Sequence, residues 1–491
     1  MTTATVLRAF RFALDPRPDQ VHVLENHAGA ARWAYNHSIS AKRAAHDEWR
    51  RQVDAAVAAG TPEERARKDV KVPVPNKASI QKSWVISRGD SRDEVKDKAA
   101  GICPWWHEVN SHAFQSAWID ADAAWKAWIA SFRGARAGRR VGYPVFKKKG
   151  KSRDSFRLHH DVKRPSIRLE TYRRLRLPKV GEVRLHESAK RLGRLIQRGD
   201  AVVQSVTVSR GGSRWYASVL CKVQMALPEQ PTRRQKTAGT VGVHLGINPL
   251  ATLSKPWRAG DIAHSVVPNP RVLDRSRHKI VKAQRALSRT TTGSNRRAKA
   301  ARRVGRLQHL VAEQRSEALH QITKRLATGF ETVALYDMDV LGLTASPKRR
   351  KGRQETSSDL NRRLLDVAPA EFRRQVAYKT SWYGSQIALL KRDFHASKTC
   401  SSCGRQKPSL TLAERVFHCD HCNLRLPRGV NSARNIAAHA VVGPTGPVAS
   451  REGETKNARG APVRLPVPRD EQQGAVKRED TCHSARATPV E

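Results

Sequence analysis

The sequence predicts a multi-domain α+β protein, and three observations carry that prediction. Its 491 residues exceed what one hydrophobic core ordinarily serves. Apolar residues recur at every second position in some segments and at every third or fourth in others, and the two kinds of segment occupy separate blocks. Two C-x-x-C pairs, Cys400-Ser-Ser-Cys403 and Cys419-Asp-His-Cys422, are separated by fifteen residues and mark a small metal-held unit inside the larger whole.

Taken in order, Ala4 to Leu14 alternates in places and stops at Asp15-Pro16, which predicts one strand entering a turn. From Gln20 the period changes. Leu24, Ala28, Ala31, Tyr35 and Ile39 fall on one helical face, and a later helix carries Ala117, Ala121, Ala124 and Trp128 with Trp118 and Trp125 on the same flank. Tryptophans on such amphipathic faces are expected in the core. A basic stretch with glycines, 134–153, follows the helical block. Residues 155–228 carry strands, with a hairpin at Gly211-Gly212 whose second arm puts Trp215, Ala217, Val219, Cys221 and Val223 on one face. Pro231 to Ala238 is polar and predicts a boundary. Beyond it come paired strands at Thr240–Gly246 and Ala251–Ser254, a helical hairpin with arms at Val272–Ser288 and around Val304 to Ile322, and a strand at Thr332–Tyr336. A basic loop, Lys348 to Arg353, comes next, and residues 443–491 are expected to be disordered.

Lys and Arg number 92 against 44 Asp and Glu, a formal net charge of +48. A chain so charged repels itself, and a phosphate backbone is the natural polyanion to neutralise it. No apolar run of membrane-spanning length exists and Met1 to Leu14 has no signal core, so a soluble, cytoplasmic protein is expected, nucleoid-associated when bound to DNA. Seven cysteines, four of them clustered, argue for metal binding rather than a secreted disulfide framework. Cys400, Cys403, Cys419 and Cys422 are the expected ligands of one structural zinc. Four thiolates close its shell, which leaves His418 and His421 outside.

Ala396-Ser-Lys-Thr-Cys-Ser-Ser-Cys-Gly404, Phe417-His-Cys-Asp-His-Cys422 and Arg428-Gly-Val-Asn-Ser-Ala-Arg-Asn-Ile436 together resemble the C-terminal block of the TnpB and type V CRISPR effector superfamily. Val241 to Ser254 resembles the first RuvC segment of that family, and Val333 to Gly342 the second. Similarity extends to Glu371–Lys379, Trp382–Gly384, Pro144–Lys147 and Tyr35-Asn36. The resemblance implies a wedge-type β-barrel (1–19 and 151–235), a helical recognition region (20–150), an RNase H-like RuvC domain (236–397 and 424–442) and an inserted zinc ribbon (398–423).

It further implies a guide RNA, a double-stranded DNA target with a short flanking motif, and a two-magnesium centre held by Asp, Glu and Asp. Carried over residue by residue, those acidic positions are His244, Tyr336 and Gly429. Imidazole, phenol and hydrogen are poor or absent ligands for hard magnesium, so no catalytic Mg2+ is expected. Asp337 and Asp339 stand beside only the second position. The implied function is RNA-guided DNA binding without cleavage, acting by target occlusion or transcriptional repression. A nuclease with a non-standard RuvC site and an unguided zinc-ribbon regulator of a transposon remain open. Arg139, Arg140, Lys147, Lys148, Lys149 and Arg153 are expected to hold nucleic-acid backbone.

Overall fold

A computed structural model of the chain describes residues 2–89, 101–136, 140–163, 165–259, 262–336, 338, 355–390, 394–411 and 414–442. Arg139, Asp337, Asp339, the loop 348–353 and the segment 443–491, each singled out above, lie outside the described residues. The described chain divides into two compact units, one of residues 5–224 and one of residues 225–442 with which residues 2–4 cluster.

In the first unit, β1 (Thr2–Asp15) ends where Pro16 and Pro18 turn the chain into α1 (Pro18–Ala58). Gln20 caps the start of that helix by accepting the Arg17 N–H at 3.1 Å, and Leu24, Ala28, Ala31, Tyr35 and Ile39 form its buried stripe. The short helices α2 (Glu63–Asp69) and α3 (Lys77–Ser87) precede α4 (Ser111–Phe132). Trp118 is fully buried and Trp125 nearly so, and the Trp118 ring lies 5.3 Å from that of Trp84 on α3. These rings fill the core.

Strands β2 (Ser155–His159), β3 (Arg168–Thr171), β4 (Arg174–Leu177) and β5 (Gly181–Leu185) are followed by α5 (Lys190–Gln197) and the hairpin β6 (Ala201–Gly211) and β7 (Arg214–Leu227). The hairpin turns at Gly212, whose φ of 60° suits glycine, and Trp215, Ala217, Val219, Cys221 and Val223 are all buried on one face. The seven strands lie in the order β2-β6-β7-β1-β5-β4-β3. Among the described residues no ladder joins the edges β2 and β3, so the ladders show a seven-stranded sheet and no closed barrel. Alternation within each strand does not encode whether the two edges meet.

In the second unit, the polar stretch expected as a boundary is helical. Residues Arg233–Ala238 form a helix, α6, whose Thr232 and Gln235 make a capping box, and buried Gln235 donates to the carbonyls of Ala327 at 2.8 Å and Tyr383 at 3.1 Å. The T-x-x-Q spacing was the available signal. Next come β8 (Thr240–Leu245), β9 (Ala251–Ala259), β10 (Ile262–Val267), the hairpin α7 (Val272–Ser288) and α8 (Asn295–Gly329), β11 (Thr332–Tyr336), α9 (Glu355–Val367), α10 (Pro369–Tyr383) and β12 (Gln386–Leu390). The short pair β13 (Val416–His418) and β14 (Arg425–Pro427) leads into α11 (Arg428–His439) and β15 (Val441–Val442).

The six-stranded sheet has the order β10-β9-β8-β11-β12-β15, with β8, β11 and β12 mutually parallel and β9 and β15 antiparallel to their neighbours. Its two faces are covered differently. Val241, Val243, Leu253, Val333 and Leu335 pack with Leu319 and Leu326 of α8, Val367 of α9, and Phe372 and Val376 of α10. Ala334, Ala388 and Leu390 pack with Ile436 of α11 on the other face. There α11 crosses β8 at backbone contact, for a Cβ placed on Gly242 would stand 1.9 Å from the Ala433 carbonyl oxygen. Only glycine fits at that crossing.

Candidate functional site

The cysteine cluster is built from two knuckles of the same local geometry. In the first, the Gly404 N–H donates to the Cys400 carbonyl at 3.1 Å and the Cys400 N–H to the Arg405 carbonyl at 2.9 Å. In the second, the Asn423 N–H donates to the Cys419 carbonyl and the Cys419 N–H to the Leu424 carbonyl, both at 2.9 Å. Each turn needs the residue after its second cysteine in the left-handed region. Gly404 and Asn423 supply φ of 75° and 55°.

The knuckles bring the four sulfur atoms within 4.8 Å of one another, with Cys400 and Cys422 at 3.5 Å and Cys403 and Cys419 at 3.6 Å. Tetrahedral zinc with Zn–S bonds of about 2.3 Å separates its sulfurs by about 3.8 Å, so the donor set and its spacing fit that ion. Backbone N–H groups of Cys422 and His421 pull the Cys419 thiol down to about 6. The Arg405 N–H acts the same way on Cys403, but desolvation and the neighbouring sulfurs outweigh it and push that thiol up to about 12. His418 faces Asp420 instead, at 3.4 Å. Among the described residues this is the only group of three or more His, Cys, Asp or Glu placed to hold a metal.

Two buried asparagines fasten the cluster to α11. Asn431 accepts the Ser401 N–H at 2.9 Å and donates to the Thr399 carbonyl at 2.7 Å, while Asn435 donates to Ala396 at 2.8 Å and Thr399 at 2.7 Å. Buried amides so fully used fix one docking geometry. The ribbon therefore sets the position of the first turn of α11, where Gly429 lies.

His244, Tyr336 and Gly429 converge. His244 is at the end of β8 and Tyr336 at the end of the adjacent parallel β11, one residue beyond the paired Val243 and Leu335. By alternation both share the face of Gly242 and Ala334, which α11 covers. His244 pairs with Thr252 across the β8–β9 ladder, and a Cβ on Gly429 would stand 2.7 Å from the Thr252 hydroxyl oxygen. Thr252 and Arg428 were not legible as parts of this place from sequence spacing. Burial and the charge of Arg428 press the His244 imidazole down to about 4, so it is neutral at physiological pH. Arg428 in turn donates to the Thr411 carbonyl at 2.8 Å. The Arg428 guanidinium thus places a positive charge near this face of the sheet.

The expected nucleic-acid residues of the first unit divide by exposure. Arg140, Lys148 and Lys149 are exposed. Lys147 is half-buried, its backbone paired with Asn36 (N–H to Oδ1 at 2.7 Å, O from Nδ2 at 2.9 Å) and its ammonium 3.9 Å from the Tyr35 ring centre. Arg153 donates to the Ser209 hydroxyl at 2.9 Å.

Comparison with known proteins places these features in a family. Residues 219–346 match the OrfB_IS605 model, described as a probable transposase, residues 370–436 match the Cas12f1-like TNB domain, and residues 1–51 match a helix-turn-helix domain. A relative from Mycobacterium tuberculosis H37Rv, named "Putative RNA-guided DNA endonuclease Rv2885c", is 34% identical over 459 residues, covering 92% of each chain. The chain belongs to the TnpB family. InsQ of Escherichia coli K12, a TnpB-family relative bearing the same endonuclease description, is 28% identical over 442 residues, 89% of this chain and 93% of its own. A solved Cas12f1-sgRNA-target DNA complex covers 88% of this chain and 99% of its own at 11% identity, with a TM-score of 0.42. In this TnpB-family member the stretch matching the helix-turn-helix model is one strand followed by the single uninterrupted helix α1.

Proposed function

We propose that this chain binds double-stranded DNA under the direction of a guide RNA and does not cut it, acting by target occlusion or transcriptional repression. The observation that carries the reading is the convergence of His244, Tyr336 and Gly429 on one face at the ends of neighbouring strands. The frame of a three-carboxylate centre is kept while every carboxylate is gone, and Arg428 adds positive charge beside it. The parallel β8, β11 and β12 with antiparallel β9 and β10, helices on both faces, support reading 236–397 and 424–442 as an RNase H-like RuvC domain. Residues 398–423 are then its zinc ribbon, with Cys400, Cys403, Cys419 and Cys422 around one Zn2+ that stabilises the fold and takes no part in chemistry. Residues 20–150 serve as the recognition region, and 1–19 with 151–235 as the wedge. RNA guidance is supported by the names of the relatives and by the net charge of +48. None of the described helices is long and apolar enough to cross a membrane, in keeping with a nucleic-acid partner in the cytoplasm.

Sequencing the RNA that copurifies with the chain from its native host tests guidance. One defined, structured species is expected in near-stoichiometric amount. A random sample of cellular RNA, or none, would count against guidance and favour an unguided DNA-binding protein.

A further inference from the structure

Residues 272–312, which span α7, the turn and the first half of α8, hold twelve Lys and Arg and one acid, Asp274. Eleven of the twelve are exposed, and Arg297 instead braces the turn by donating to the Leu287 carbonyl at 3.3 Å and the Thr290 carbonyl at 3.0 Å. Among the described residues none of the eleven is ion-paired, and the pairs of α8, His309 with Glu313 and Arg315 with Asp366, lie past them. The charge also has a side. Val272, Ile280 and Ala283 of α7 and Val304, Leu307 and Val311 of α8 form the seam between the helices. With about 3.6 residues per turn, Arg275, Lys279 and Lys282 fall on one flank of the seam on α7, and Lys299, Arg303 and Arg306 on one flank of it on α8. Because the helices run antiparallel, these two flanks lie on the same side of the hairpin. The opposite flank of α8 is Ala298, Ala301, Gly305 and Ala312, and Arg277 is the α7 cation on that side.

We propose that this cationic side lies against the two backbones of a double-stranded stretch of the guide RNA, and that the far half of the hairpin owes its order to that contact. The proposal rests on the RNA guidance proposed for the chain. Helices so packed stand about 8–10 Å apart, so two rows of cations meet two phosphate backbones better than one. Phe, Tyr and Trp are absent from 272–312, which leaves no platform on which unpaired bases would stack. Long Lys and Arg side chains hold backbone without reading sequence. The need for a resident polyanion selects RNA over target DNA. Like charges three and four residues apart, such as Arg275 with Lys279 and Lys299 with Arg303, weaken each helix. Towards the turn only Ala283 and Val304 are buried, both outside the apolar cluster of Val272, Ile280 and Val311. A seam so thin does not offset the repulsion by itself, and a guide RNA is present before any target is met.

Amide hydrogen exchange compares the full chain purified with its RNA and the same chain stripped of RNA by nuclease and high salt. Exchange at 284–303 is expected to rise at least about tenfold on stripping, while 319–326, packed on the sheet, stays protected. The variant Lys279→Gln, Lys282→Gln, Lys299→Gln, Arg303→Gln is then titrated at several salt concentrations with the copurified RNA, a plain RNA duplex and a DNA duplex. All four side chains are exposed, so the fold is kept. For both RNAs the salt slope is expected to be shallower by about 3 and binding weaker by roughly thirtyfold to hundredfold at physiological salt, whereas Arg277→Gln alone should change neither by a comparable amount. A chain that carries no RNA at all overturns guidance and this proposal together. An unchanged slope with RNA bound as before, or exchange at 284–303 that stripping leaves alone, overturns the proposal and leaves guidance standing. So does a weakening confined to the DNA duplex, which assigns this side of the hairpin to DNA.

Discussion

Cys400→Ser is expected to release the zinc and unfold residues 399–427, with a loss on the order of several kcal/mol, because structural zinc in ribbons of this size supplies roughly 10–16 kcal/mol of apparent binding energy. No hydrophobic core can substitute. The buried apolar contents of the ribbon are Cys400, Phe417 and Cys419 with Leu424 packed against them, so two of the four members are themselves metal ligands. The disruption should spread into α11. Asn431 and Asn435 lose the carbonyls of Thr399 and Ala396 and the Ser401 N–H, and these amides are buried. Metal analysis should find one zinc per chain in the wild type and none in the variant. Amide exchange should rise in the ribbon and the first turns of α11 while Val241, Val333 and their neighbours stay protected. Serine in place of Cys103 or Cys221, which are not members of the cluster, should leave the zinc content unchanged.

Restoring the acids should restore a nuclease, but only with a fourth change. The variant His244→Asp, Tyr336→Glu, Gly429→Asp puts carboxylates back where the strand ends and α11 meet. The third of these is obstructed, since any Cβ at 429 stands 2.7 Å from the Thr252 hydroxyl and 3.2 Å from its Cβ, on a β-branched side chain held in a strand. The triple variant is therefore expected to lose about 1–3 kcal/mol of stability and to cleave poorly. Adding Thr252→Ala removes the closest contact, and magnesium-dependent cutting of guided target DNA should then appear. Each single acid should remain inactive, because one carboxylate does not hold two metal ions. Gly429 and Thr252 fit each other: without a Cβ at 429 there is room for the threonine methyl and hydroxyl.

The elements of the second unit were largely legible in the sequence. Thr332–Tyr336 is a strand and Val272–Ser288 a helix where the pattern predicts a strand and, around those residues, a helical arm, since a buried parallel strand and an amphipathic helix both write their period locally. The four cysteines were legible for the same reason, because ligand spacing is short-range. What the sequence withheld was long-range. Thr252 and Arg428 join His244 and Gly429 through a ladder and a helix docking, and no spacing along the chain connects 252 to 429. Lys147 and Arg153 are expected from their lysine-rich setting to hold nucleic-acid backbone. Asn36, Tyr35 and Ser209, distant in sequence, turned them inward.

Binding and cutting separate in one measurement. The chain, purified with its RNA, is mixed with double-stranded DNA that matches the guide region and carries a library of flanking sequences, in the presence of magnesium. Bound and free DNA are then separated and every strand is sized. Retention of matched DNA with all strands at full length is the predicted result. Matched DNA cut at defined positions, with the cutting lost on chelation of magnesium, would contradict it.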